Sequence, residues 1–194
     1  MRSLFRKTPQ LVPKIKFNRM KKYYIALAFT ISLYGLKAQV NIGGTTISSP
    51  SVSLEFGSGN KGIVLPWVTS DVNVANAGVV DGTLIFDSTD KKVKLRSSGI
   101  WKDLTQDKTG TVDLSLQATK TELASAKAVI GSNGGSDTTP GVLVLSDTNK
   151  AMILPKVESP HLNISNPAAG MMVYDTVARQ LAVYNGTVWT FWKP

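Results

Sequence analysis

Apolar and polar positions alternate in three short bursts between residues 170 and 192, in "GMMVYDTVARQLAVYNGTVWTFW". The alternation predicts strands at roughly 171–174, 180–184 and 187–192, with Met172, Leu181 and Val183 on one half-buried face. Asn185-Gly186 between the last two bursts predicts a two-residue type I′ hairpin, because both central positions of that turn need φ > 0. Eighty-eight residues upstream the pattern recurs in "GTLIFDSTDKKVKLRSSGIW" (82–101). Gly82, Asp87 and Trp101 are identical to Gly170, Asp175 and Trp189. Leu84, Ile85, Phe86, Val93, Leu95 and Ile100 match Met172, Val173, Tyr174, Leu181, Val183 and Val188 in type.

The segments before the two bursts also match. "LEFGSGNKGIVLPWV" (54–68) and "LVLSDTNKAMILPKV" (143–157) share Leu, Asn-Lys, Leu-Pro and Val, and "VNIGG" (40–44) loosely echoes "AVIGS" (128–132). Each Leu-Pro ends a short apolar run at Pro66 or Pro155, as suits a buried strand that cannot donate further. Such ordered identity reads as one unit written twice. The expected fold is mainly β: two related small antiparallel β modules, each a strand plus a three-stranded meander, joined by a short helical connector and preceded by an N-terminal signal helix. A meander of this size cannot bury its apolar face alone, so it must pack on its own first strand, on the other copy or on another chain.

The expected boundaries are a leader at 1–38, module 1 at 39–104, the connector at 105–128 and module 2 at 129–194. "LSLQATKTELASAKA" (114–128) holds good helix formers without Gly or Pro. Val112, Leu116, Thr119, Leu123, Ala126 and Ile130 follow heptad spacing over fewer than three heptads. That spacing fits either a short coiled-coil stalk between identical chains or an amphipathic helix docked on its own domain. In the leader, Lys21-Lys22 precede the 14-residue apolar run "YYIALAFTISLYGL", and Ala38 offers a small residue for cleavage. The run is short for a membrane span, which needs about 20 residues. It reads as an export signal of the general secretory pathway with Met20 as a candidate initiator, the alternative being an uncleaved anchor. Secreted or cell-surface placement on a bacterium follows from that reading.

Charge changes the picture only by its location. The formal +9 lies in residues 1–38, with nine Lys/Arg and no acid, whereas 39–194 carry thirteen of each sign. The neutral remainder argues against nucleic acid as partner, and nothing beyond the signal segment points to a membrane. With no cysteine there is no disulfide, thiolate or lipid-acceptor site.

The paired motifs "NKGIVLPWV"/"GTLIFDS…GIW" and "NKAMILPKV"/"GMMVYDT…LAVYNGTVW" resemble repeats of secreted bacterial surface proteins and of phage tail-fibre-like proteins, over most of residues 40–192. The resemblance implies an elongated, β-rich, often trimeric structural protein without a catalytic set. It is partial: Arg96 and Ser97 stand where the second copy has Tyr184 and Asn185.

Candidate chemistry is sparse. The single histidine, His161, lies in a connector, without the Cys or second His that a His-based metal site usually recruits. "GSGNKG" (57–62) lacks the ending of a phosphate loop and precedes a strand. Asp87, Asp90, Asp137, Asp147 and Asp175 fall in predicted turns, where bonding to the local backbone is the better reading than calcium. "DST" (87–89), "DTT" (137–139) and "DTV" (175–177) resemble acceptors of bacterial O-glycosylation, with ordinary turn chemistry the better reading. No catalytic residue, metal or cofactor is expected, and the protein is not expected to be an enzyme. Pro66, Asp87, Trp101, Pro155, Asp175, Asn185, Gly186 and Trp189 are expected to serve the repeat. Trp67, which the second copy replaces by Lys156, and Trp192 are the candidates for ligand contact. The expected function is a non-enzymatic, self-associating structural or adhesin-like surface protein, with a trimer as one allowed state; the alternative is a module that binds a glycan or a surface protein through exposed aromatics.

Overall fold

The computed structural model describes residues 23–24, 39–76, 78–115, 117–123, 125–132 and 134–193. The chain divides into two units, Met1–Lys37 and Ala38–Pro194. Apart from Tyr23 and Tyr24, the expected signal helix lies outside the described residues. Among the described residues no helix is long and apolar enough to cross a membrane.

The second unit is mainly β. β1 (Val40–Ile42) runs parallel to β2 (Val52–Phe56), with Val40 opposite Leu54. β3 (Ile63–Val64) and β4 (Trp67–Val68) follow, then the short helix α1 (Asp71–Asn76). The first meander is β5 (Leu84–Asp87), β6 (Lys92–Ser97) and β7 (Ile100–Asp103). β8 (Ala128–Ile130) runs parallel to β9 (Leu143–Leu145), with Ala128 opposite Leu143. β10 (Ala151–Met152), β11 (Lys156–Val157) and the single-turn helix α2 (Pro160–Asn163) lead into the second meander: β12 (Met171–Asp175), β13 (Gln180–Tyr184) and β14 (Trp189–Trp192).

Corresponding strands take corresponding registers. β4 lies parallel to β5 with Trp67 opposite Phe86, and β11 lies parallel to β12 with Lys156 opposite Tyr174. Leu84 faces Leu95 in the first meander, and Met172 faces Val183 in the second. Arg96 faces Trp101, and Tyr184 faces Trp189. The prolines act alike: having no N–H, Pro66 and Pro155 end the donor row, yet their carbonyls accept from Phe86 N and Tyr174 N, each at 2.9 Å.

Strands cross between the halves. β3 pairs antiparallel with β12, setting Ile63 opposite Met172 and Val64 opposite Met171, and Leu65 N donates to Gly170 O at 3.1 Å. β10 pairs parallel with β2, and Ile153 N donates to Leu54 O at 2.9 Å. One buried cluster therefore mixes both halves: Leu65, Phe86 and Val93 pack with Ala169, Met172 and Val183. A second holds Val157, Ile164, Met171, Val173 and Ala182 under the second meander.

Two expectations are corrected. Among the described residues of 105–128 there is no helix. Isolated turns stand there instead, closed by bonds such as Ala118 N to Leu114 O and Ala126 N to Leu123 O. Short helices are marginal in water without packing, and Leu123 is exposed rather than docked. The Asn185-Gly186 turn is also not type I′, since Gly186 has φ 101° whereas Asn185 has no positive φ. Its loop spans four residues between the paired Tyr184 and Trp189, because the Asn185 side chain takes the turn's donors: Oδ1 accepts from Thr187 N at 2.9 Å and from Val188 N at 2.8 Å. The type I′ geometry falls in the first meander, where Ser98 (φ 55°) and Gly99 (φ 71°) form a two-residue loop.

Gly170 is required twice over. Its φ is +76°, and a Cβ there would lie 2.8 Å from the Phe86 Cβ. Gly170→Ala is expected to cost about 2–4 kcal/mol, combining left-handed strain with overpacking. A lowered urea midpoint at unchanged slope checks it; an unchanged midpoint contradicts it.

Candidate functional site

The polar turn between the first two strands of each meander is built by an aspartate. Asp87 Oδ1 accepts from Thr89 N and Asp90 N, both at 3.0 Å, and Asp175 Oδ1 accepts from Val177 N at 2.9 Å and Ala178 N at 3.1 Å. Both carboxylates are buried, and each turn closes on a residue with positive φ, Lys91 or Arg179. These bonds occupy Oδ1 of each aspartate, and among the described residues no group of three or more His, Cys, Asp or Glu could hold a metal.

Sequence reasoning missed the one ionic cluster in the first meander. Lys94 is buried on the face of β6 opposite Val93, where its ammonium donates to Asp71 Oδ2 at 2.9 Å, to Asp87 Oδ2 at 3.0 Å and to Asp90. Burial works against both charges. For Asp87, the Asp90 N–H, the Lys94 ammonium and the Asp71 N–H outweigh burial and hold the carboxyl below its ordinary range. For Lys94, the three carboxylates outweigh burial and push the ammonium well above its ordinary range. The corresponding position in the second meander is Ala182, fully buried in the apolar cluster. The signal was the alternation Lys92-Lys94-Arg96 opposite Val93 and Leu95, which puts three cations on one face of β6, of which only the central Lys94 is buried.

The aromatics divide by what holds them. The Trp67 ring sits 6.3 Å from Phe86, and its indole N–H donates to Ala169 O at 2.8 Å, so half-buried Trp67 spans the seam between the meanders. Trp101 lies under the Arg96 guanidinium at 5.5 Å, and Trp189 stacks at a tilt on Tyr184 at 5.2 Å. These are the paired cross-strand neighbours of the two meanders. Trp192 is 40% exposed and donates its indole N–H to Leu104 O. It lines a shallow, mostly apolar concavity of about 450 Å³ with Tyr174, Leu181, Gln180, Arg179 and Lys193. The structure does not bring Trp67 and Trp192 into one site: Trp67 is spent on packing, and Trp192 stands in the concavity. His161 is exposed in α2, its ring edge-on to Phe191 at 5.7 Å, with no nucleophile or acid bonded to it among the described residues.

Residues 105–111 clasp the second meander. Fully buried Asn185 donates to Asp107 O and Oδ1, both at 3.1 Å, and Thr187 Oγ1 donates to Thr109 O at 3.0 Å. Gly186 and Gly110 allow the close approach, since a Cβ on either would lie 2.0–2.2 Å from a backbone oxygen of the opposing segment. The Asp107 carboxyl is held below its ordinary range by its bonds from Thr109, helped by Asn185.

Residues 130–193 match a family model described as a phage tail like trimerisation region. The matched segment runs from the end of β8 to the last described residue and so contains the whole second meander. No curated protein and no solved structure matches the chain.

Lys94→Met is expected to destabilise the first meander by about 3–5 kcal/mol, because it strands Asp87 buried without its cation. The double change Lys94→Met/Asp87→Asn is expected to recover part of that loss. Unfolding midpoints check both, and a neutral single variant contradicts the cluster's role. The depressed Asp87 carboxyl stabilises the fold above its unfolded pKa of about 3.9 and loses that contribution as pH falls through its lower folded value. Lys94, raised, contributes below about 10.4 and loses its contribution only as pH rises through its higher folded value. The wild-type unfolding midpoint is therefore expected to fall below pH 4 and to change less in the Lys94→Met/Asp87→Asn variant; equal acid sensitivity contradicts this.

Proposed function

We propose that this chain is an exported, non-enzymatic structural protein of the tail-fibre-like kind, built from a duplicated β module and working as a homotrimer at a cell or particle surface. The observation that carries the reading is the match of residues 130–193 to a trimerisation region, falling on the meander that keeps an apolar concavity at its surface. The shared registers of the two meanders support duplication as the way the structure was built. The chemistry of the described surface supports a mechanical role: the buried carboxylates of Glu55, Asp87 and Asp175 accept from nearby backbone N–H groups or from Lys94, and the concavity is shallow and lined mainly by carbon. In this reading the matched region holds three chains together, and the preceding half adds a second layer of sheet to the same shaft. Adhesin-like attachment would then be a property of the assembled surface rather than of a pocket in one chain.

A second reading has one observation in its favour. Trp192 and Tyr174 face a concavity with Arg179 and Gln180 at its rim, an arrangement that suits the face of a sugar ring. In that case Trp192 is the ligand-contacting aromatic, and Trp67, held against Phe86 and Ala169, takes no part in the contact.

Light scattering on the purified protein separates the readings. The structural reading expects a mass of three chains, unchanged over a hundredfold dilution; one chain at every concentration contradicts it. The recognition reading expects glycan-array binding that Trp192→Ala lowers at least tenfold, and an array without signal removes it.

A further inference from the structure

The two halves share registers but not neighbours, and the differences fall at a few backbone edges. In the second meander, β3 covers the first half of β12 beside β11: Gly170 O accepts from Leu65 N, and Met172 is 2% exposed. In the first meander β4 covers only Phe86 and Asp87, and among the described residues no strand lies against Gly82–Leu84 on that edge. Gly82 is exposed and a Cβ there would meet nothing within 4 Å, whereas its counterpart Gly170 lies under the Phe86 ring. The strand that corresponds to β3 is β10. One edge of β10 is bonded to β2, through Ala151 N and Ile153 N; the other edge, carrying Met152 N and Leu154 N, faces no strand among the described residues. Likewise β2 is covered by β10 and its Leu54 is 1% exposed, while β9 pairs only with β8 and its Leu143 is 47% exposed.

We infer that a second copy of this chain completes these edges by repeating between chains the contact that joins the halves within one. β10 of one copy adds antiparallel to β5 of the next, with Met152 opposite Leu84 and Ile153 opposite Thr83, as Ile63 and Val64 lie opposite Met172 and Met171 within the chain. In return, β3 of that next copy lies parallel along β9 of the first, as β10 lies along β2. The inference rests on the proposed homotrimer and specifies its interface.

Side chains agree with the backbone. Phe86 and Val93 of the first meander are fully buried against Ala169, Met172 and Val183 of the second. Their counterparts are less covered: Leu181 is only partly buried against the same cluster and Tyr174 is 36% exposed, and both line the concavity. In the completed contact the part of Leu84 left uncovered by its own cluster meets that concavity of the neighbouring copy, with the Tyr174 ring over Gly82. The charges match as well. Within the chain, Trp67 reaches Ala169 O; the corresponding residues are Lys156 and Asp81, both exposed and of opposite sign. Such a contact is head-to-tail, so the same patch is never used on both partners, and in the proposed homotrimer its rotation closes a ring of three. Each chain contributes two meanders to that ring.

The chain has no cysteine, which makes a direct test available. Two differently tagged full-length chains, one Thr83→Cys and the other Ile153→Cys, are co-expressed and oxidised. The expected result is a disulfide-linked pair carrying both tags on a denaturing gel, and no linked pair from either variant alone. As a second measure that leaves the core untouched, Lys156→Glu is expected to weaken assembly at least tenfold, and Asp81→Lys/Lys156→Glu to restore it. A trimer that forms no mixed disulfide and ignores the charge reversal overturns this interface while leaving the homotrimer standing. A wild-type monomer overturns the homotrimer and the interface with it.

Discussion

β3 does not pair with the meander that follows it in sequence but with the meander of the other half, and the rest of the structure depends on that exchange. The pairing buries Met172, brings Gly170 under the Phe86 ring and draws Leu65 into a cluster with Ala169 and Val183. A three-stranded sheet has one apolar face and too little area to hold itself together. The second meander borrows a strand from the other half, and the first gains its core from the surface of the second. The prolines at 66 and 155 make the borrowing possible, since they follow one short strand and let the chain step into another sheet within two or three residues.

The halves solve the same burial problem with different chemistry. Beneath the second meander, Ala182 leaves room for Val157, Ile164 and Val173. Beneath the first, Lys94 fills the same place and is neutralised by three aspartates from a turn, a strand and a helix start. A buried ion pair contributes little net stability compared with packed carbon, yet it penalises any arrangement that leaves one partner alone. The first meander thus has a core that is costly to rearrange, and the second an ordinary apolar one.

Much of this was legible in the residues. Alternation located the three strands of the second meander to within about two residues, and the repeated Gly, Asp and Trp marked 82–101 as a related stretch, because a half-buried strand writes its period into the sequence. The heptad-like run at 112–130 misled, since spacing alone supplies no partner; the described part of that segment forms isolated turns followed by β8 at 128–130. Asn185-Gly186 misled for a related reason: a buried Asn side chain that can cap the turn and reach Asp107 outweighs the dipeptide's usual backbone preference. Strand exchange was not legible, because "KGIVLP" and "KAMILP" carry no mark of which edge they will join. The candidate ligand residues were chosen for type alone, and type does not distinguish a Trp spanning a seam from a Trp beside an open concavity.

The central claim is that the edge of the first meander is finished by another chain as the edge of the second is finished by β3. Hydrogen exchange at single-amide resolution reaches that edge directly. The account predicts that in the assembled protein the amides of Leu84, Met152 and Leu154 exchange as slowly as those of Met172, Ile63 and Leu65. Rapid exchange at the first three, with protection kept at the last three, would contradict it.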